Sequence, residues 1–158
     1  MSDEAKKRLA ELEEQHTTLT VERFERREAW ELGRYLADTA LAAGHPVAVD
    51  VRTPSGILFH ASLPGATDDN AAWVARKAAT AFRFEVATAL LEARAEVSGR
   101  NMHAPGWLDP VTYTLAGGAV PVRVDGAGVV AVATMSGLRS DQDHDLVVDG
   151  IRHLSHPA

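Results

Sequence analysis

Asn70, Trp73, Lys77 and Thr80 fall at i, i+3, i+7 and i+10, while Arg76, Thr80 and Arg83 form an adjoining line. On a helix that spacing gathers an amide, an indole and an ammonium on one side, with guanidinium groups beside it. The stretch opens after Pro64-Gly65-Ala66-Thr67-Asp68-Asp69, so these side chains stand near a helix start whose free N–H groups attract anions. A carboxylate or phosphate is the ligand such a corner holds. A plainer reading comes first on spacing alone: Trp73 belongs to the core, and Arg76 and Lys77 are solvated or pair with the surplus acids.

A second stretch runs from Gly117-Gly118-Ala119-Val120-Pro121-Val122 to Met135-Ser136-Gly137-Leu138. Twin glycines ahead of a strand mark either a bulge where backbone approaches a ligand or a bend needing positive φ. Pro121 within the strand suits an edge or a bulge. The histidines are His16, His45, His60, His103, His144, His153 and His156, and none forms an H-E-x-x-H or other compact metal spacing. No Gly-x-Ser-x-Gly elbow or phosphate loop is present, which disfavours a zinc enzyme or a serine hydrolase. Asp143 beside His144 reads first as a helix-start carboxylate next to a residue on an apolar line, and second as an acid/base pair. On its strand, His60 alternates with Leu58 and Ser62, opposite Phe59 and Ala61.

The elements that must position these residues follow from periodicity. Ala5, Leu9, Leu12, His16 and Leu19 step by fours and threes, a helical stripe that lies on its own domain or forms a seam with another subunit. Thr17 to Val21 has the β-branched alternation of a short strand, and Arg26 to Ala43 reads as a helix closed by Gly44 and Pro46. Pro46–Arg52 and Ile57–Leu63 alternate around Pro54-Ser55-Gly56, a hairpin. Asp68 or Asp69 caps one long helix running to about Glu96, apolar on most faces. Gly118–Val124 and Gly128–Met135 join at Asp125-Gly126 as a second hairpin. Ser140-Asp141-Gln142-Asp143 has capping-box spacing and opens a last helix with His144, Val147, Ile151 and Leu154 on one face. Two hairpins separated by a helix predict an α+β fold, a mainly antiparallel sheet with helices packed on it.

At 158 residues the chain suits a single domain, residues 1–158, with residues 1–16 as its N-terminal helix at a candidate subunit interface. The net charge of −6 opposes a nucleic-acid footprint. With no cysteine, disulfides, thiolate metal sites and a cysteine nucleophile are excluded. Neither a signal-peptide core nor an apolar run of ~20 residues is present, so the expectation is a cytoplasmic protein without a membrane partner.

Taken together, Ala29-Trp30-Glu31-Leu32-Gly33, the Val47–Phe59 hairpin, Leu63-Pro64-Gly65 with Asp69-Asn70, Trp73 and Arg76-Lys77, Asp109-Pro110 with Tyr113, Gly117-Gly118 to Val122, and Ser136-Gly137-Leu138 with Asp143-His144 resemble the short branch of the GlcG/HbpS-like haem-degrading domain family. They span most of the chain from about Leu9 to Ile151 and are specific in combination, not singly. The resemblance implies a profilin-type antiparallel sheet flanked by helices, assembly into a homo-oligomer, and haem binding with oxidative breakdown of the porphyrin. The leading expectation is a small-ligand-binding, oligomeric member of this family with a pocket lined by Asn70, Trp73, Arg76, Lys77, Tyr113 and the Gly117-Gly118 backbone, Arg76 and Lys77 facing the carboxylates of haem or of a small organic acid. The chain departs from the family pattern where Val86-Ala87-Thr88 replaces a histidine followed by two serines, and where Ala116 replaces a histidine before the twin glycines. His60, Tyr113 and His144 remain as candidates for an iron ligand or polar partner. The alternative reading is a non-catalytic assembly or partner-binding protein that uses the N-terminal stripe and an exposed strand edge.

Overall fold

The computed structural model describes residues 2–155; His156 lies outside the described residues. Helices α1 (Asp3–Thr18) and α2 (Arg26–Ala42) precede the hairpin β1 (Ala48–Thr53) and β2 (Gly56–Ser62). Helices α3 (Asp68–Phe84) and α4 (Thr88–Ser98) precede the hairpin β3 (Ala119–Val124) and β4 (Gly128–Ser136), and α5 (Ser140–Ser155) follows. The four strands form one antiparallel sheet in the order β2-β1-β4-β3, the α+β architecture that two hairpins predict.

Strand alternation decides what each face of the sheet carries. Val49, Val51, Val120, Val122, Ala133 and Met135 point to one side, against Leu32 and Leu36 of α2 and Val147, Val148 and Ile151 of α5. On the other side α3 lays Ala78 and Ala81 against Ala119 and Val132. That second face also carries the polar residues Asp50, Arg52, Thr134 and Ser136. Gly33 explains how closely α2 approaches β2, because a Cβ there would enter the Phe59 ring.

Three elements differ from the expectation. No strand forms at Thr17–Val21: Thr17 and Thr18 end α1, their hydroxyls donating to the Glu14 carbonyl at 2.9 and 2.8 Å, which keeps these β-branched residues helical, and Leu19 is the C-cap. Val21 makes an isolated parallel bridge to Val124, and Leu19 packs against the core.

The long helix is two helices, broken at Glu85, which adopts a left-handed conformation (φ 55°). Arg123 donates to the Glu85 carbonyl and holds the break, so the apolar faces of the two halves point to different partners.

Thr67, rather than Asp68 or Asp69, caps α3, and the Asn70 side chain completes a reciprocal capping box by accepting from Thr67 N–H at 2.9 Å. At the start of α5, Asp143 does not complete a box with Ser140; its carboxylate accepts from Leu138 N–H at 3.1 Å.

The α1 stripe packs within the chain. Leu12 is buried with Leu90 and Leu91 of α4, and Leu9 joins them. Arg94 on α4 donates twice to the Glu13 carboxylate, at 2.7 and 2.8 Å.

Candidate functional site

Lys77 is the anchor of the site. Its position on the inward side of α3 carries it over the end of β4, where Nζ donates to the Met135 carbonyl at 3.0 Å and to Asp143 Oδ2 at 3.1 Å. Both side chains are almost fully buried, 4% and 1% exposed. Burial lowers the Lys77 pKa against the opposing pull of Asp143, and burial likewise raises that of Asp143 against the pull of Lys77 and the Leu138 and Gly137 amides. The hydrogen bonds from those amides and to Met135 satisfy the groups a buried ion pair would otherwise leave bare.

The twin glycines belong to this arrangement. Gly118 has φ +138°, and a Cβ there would stand 2.8 Å from Lys77 Nζ and inside the contact distance of the Met135 carbonyl. A Cβ on Gly117 would come within 2.7 Å of the Ser140 carbonyl. Of the two readings open in the sequence, the bend with positive φ holds at Gly118, and both glycines are closely approached by other parts of the chain. What approaches is the protein's own Lys77 and α5.

Above the Lys77–Asp143 pair lies a recess of about 270 Å³, lined by Asp69, Asn70 and Trp73 of α3, Ala116, Ser136 to Leu138, and Ser140 and Asp143 at the start of α5. Asn70, Trp73 and Lys77 thus meet as their spacing suggests. Arg76 does not join them: its guanidinium stacks 4.4 Å from the Trp73 ring centroid and donates to the Pro110 carbonyl at 2.8 Å. Tyr113 is likewise outside the recess, its ring under the Arg83 guanidinium at 4.9 Å. Gly117 and Gly118 are not among its lining residues; Gly118 reaches it only through its contact with Lys77. The recess is less cationic than the residue types imply because Asp143 neutralises Lys77. Sequence reasoning missed Asp143 as the partner of Lys77, and Ser136 and Ser140 as lining hydroxyls. The Ser136-Gly137-Leu138 turn was the available signal.

The two histidine candidates lie elsewhere. His144 is buried under α1; its Nε2 donates to Gln15 Oε1 at 2.8 Å, and Nδ1 has no partner among the described residues. Burial, followed by the nearby positive charge of Arg8, pushes its pKa down to about 4. It borders a small cavity of about 20 Å³, with Leu12, Leu90 and Val148 around it. His60 sits on β2 with Nδ1 2.8 Å from Asp50 Oδ2.

A family model described as haem degrading protein HbpS-like matches residues 24–152. The chain belongs to the HbpS-like family. It is 42% identical over 146 residues to a UPF0303 protein of Streptomyces coelicolor, covering 92% of each. The HbpS-like architecture is similar to the crystal structure of Ybr137w protein, with a TM-score of 0.86, 25% identity and coverage of 98% of this chain and 93% of that one. It is also similar to the crystal structure of HbpS, with a TM-score of 0.66, 26% identity and coverage of 89% and 96%. The matched region begins after α1, so the helix over His144 lies outside what the family model describes.

Haem, the group the HbpS-like family implies, is poorly served by these residues. The recess has no histidine among its lining residues. His144 is closed in, Val86 is buried near Leu12 and Leu90, and Ala116 offers no donor. At about 270 Å³ the recess falls just below the roughly 300–1,000 Å³ of pockets that enclose drug-sized ligands.

Proposed function

We propose that the protein binds a small, oxygen-rich organic acid in the recess above Lys77, as a ligand-binding member of the HbpS-like family. The observation that carries this reading is the meeting of two helix N-termini, α3 and α5, at one recess whose floor is a buried lysine. Peptide N–H groups at helix starts favour an acid oxygen there. The Ser136 and Ser140 hydroxyls and the Asn70 amide add hydrogen bonds, and Trp73 provides an apolar wall. Asp69 and the neutralisation of Lys77 limit the site to a ligand of low charge, held by hydrogen bonds more than by ion pairing.

Isothermal titration with lactate and succinate tests this, with haem as the competing ligand. Saturable binding of one acid, lost in Ala116→His, which fills the recess, supports the reading. Absence of acid binding, or a stoichiometric Soret shift on adding haem to the unaltered chain, overturns it.

The same reading includes a homo-oligomer. Its support is an exposed apolar patch, Trp30 at 56% and Ile57 at 59% exposure, beside β2. Light scattering reads the mass, and Trp30→Glu is expected to reduce it; a monomer in the unaltered chain removes the oligomer.

A further inference from the structure

We propose that Ser62 is a nucleophilic serine, activated by His60 and Asp50, that accepts an acyl group from activated esters of small acids. The three residues form a chain of contacts on the α3 face of the sheet, outside the recess. Asp50 on β1 lies directly across from His60 on β2 in the strand register. Asp50 is fully buried, and Arg52 Nε and one terminal nitrogen donate to its two oxygens at 2.7 and 2.8 Å, which fixes the carboxylate. A carboxylate has about four acceptor positions, so Oδ2 still takes the His60 Nδ1–H at 2.8 Å.

That bond settles the tautomer. With the proton on Nδ1, the lone pair of Nε2 is free, and it lies 3.4 Å from Ser62 Oγ. A base oriented by a buried carboxylate and aimed at a hydroxyl is the arrangement that activates serine, and its nucleophile contact is commonly looser in a ligand-free protein. His60 and Ser62 are both exposed, so an ester can reach them.

In the acylation step Ser62 Oγ attacks the ester carbonyl while its proton passes to His60 Nε2. The C–O bond to the leaving alcohol breaks, and His60 returns the proton to that oxygen. Water then attacks the acyl-serine, giving its proton to His60 as the base, and His60 reprotonates Ser62 as the acid departs.

The test uses the full chain and p-nitrophenyl acetate. The expected result is release of p-nitrophenolate, and, in samples quenched with acid during turnover, one acetyl group located on Ser62 by peptide mass spectrometry. Ser62→Ala should abolish that label, and His60→Gln, an exposed substitution with circular dichroism as the check on folding, should slow it about 100-fold or more. Acetyl found only on lysines or the N-terminus, no acetyl at all, or an unchanged rate in His60→Gln overturns the proposal. Because the label is read at Ser62, the outcome is independent of whether the recess binds an acid.

Discussion

The ammonium of Lys77 occupies the space that a side chain on Gly118 would need. The floor of the recess and the bend behind it are therefore one device. Gly118→Ala should force the bend out of its φ of +138° and push on Lys77 together. We expect a loss of roughly 1–3 kcal/mol or more in urea unfolding. Weakened acid binding should accompany it, read by the same titration as the unaltered chain.

Removing the lysine charge alone should cost more than removing the pair. Lys77→Met leaves the Asp143 carboxylate buried without its cation and is expected to destabilise by about 3–5 kcal/mol. In Lys77→Met with Asp143→Asn, the neutral amide still accepts from Leu138 N–H, so much of the loss should return. Chemical denaturation of both variants checks this, and equal losses would show that the charge pairing is not what matters.

His144 makes stability depend on pH. Its folded pKa of about 4 lies below the ordinary value of 6.5, so the folded state keeps it neutral while the unfolded chain takes up a proton. The stabilising contribution is complete above about pH 6.5 and is lost progressively as pH falls toward 4, amounting to about 3 kcal/mol in all. Carboxylates titrate in the same window. The measurement is therefore the difference between the pH–stability curves of the unaltered chain and His144→Leu, which should be flatter.

Gly33→Ala probes the α2–sheet contact independently of the recess. A Cβ there meets the Phe59 ring, so α2 must lift or Phe59 must leave its place. Overpacking of this kind costs typically 1–3 kcal/mol, and a thermal melt should show a lower Tm with acid binding unchanged.

Both hairpins and α2 were legible because alternation, Gly56 and Asp125-Gly126, and the apolar stripe ending at Gly44 each state one conformation. The break between α3 and α4 was not. Glu85-Val86-Ala87 holds no glycine or proline, and the turn is fixed by Arg123, a residue from a distant strand. At the site, the helical spacing of Asn70, Trp73 and Lys77 was enough to bring them together. The same spacing could not show that Arg76 would turn to the Pro110 carbonyl, nor that an aspartate 66 positions away would take up the lysine charge. The Asp50–His60 contact had a visible signal in the alternation of two paired strands, but the register that joins them belongs to the fold.

Strand β2 hydrogen-bonds to β1 alone among the described residues, so the outer rim of Gly56–Ser62 carries spare main-chain donors and acceptors. A rim of this kind recruits extended chain from its surroundings unless it is kept short, bent or charged. Here the slip in register between Val51 and Arg52 bends the hairpin. On this rim, resistance to clumping in a crowded solution falls to a segment of 7 residues, while Val21 bridges part of the opposite rim at Val124.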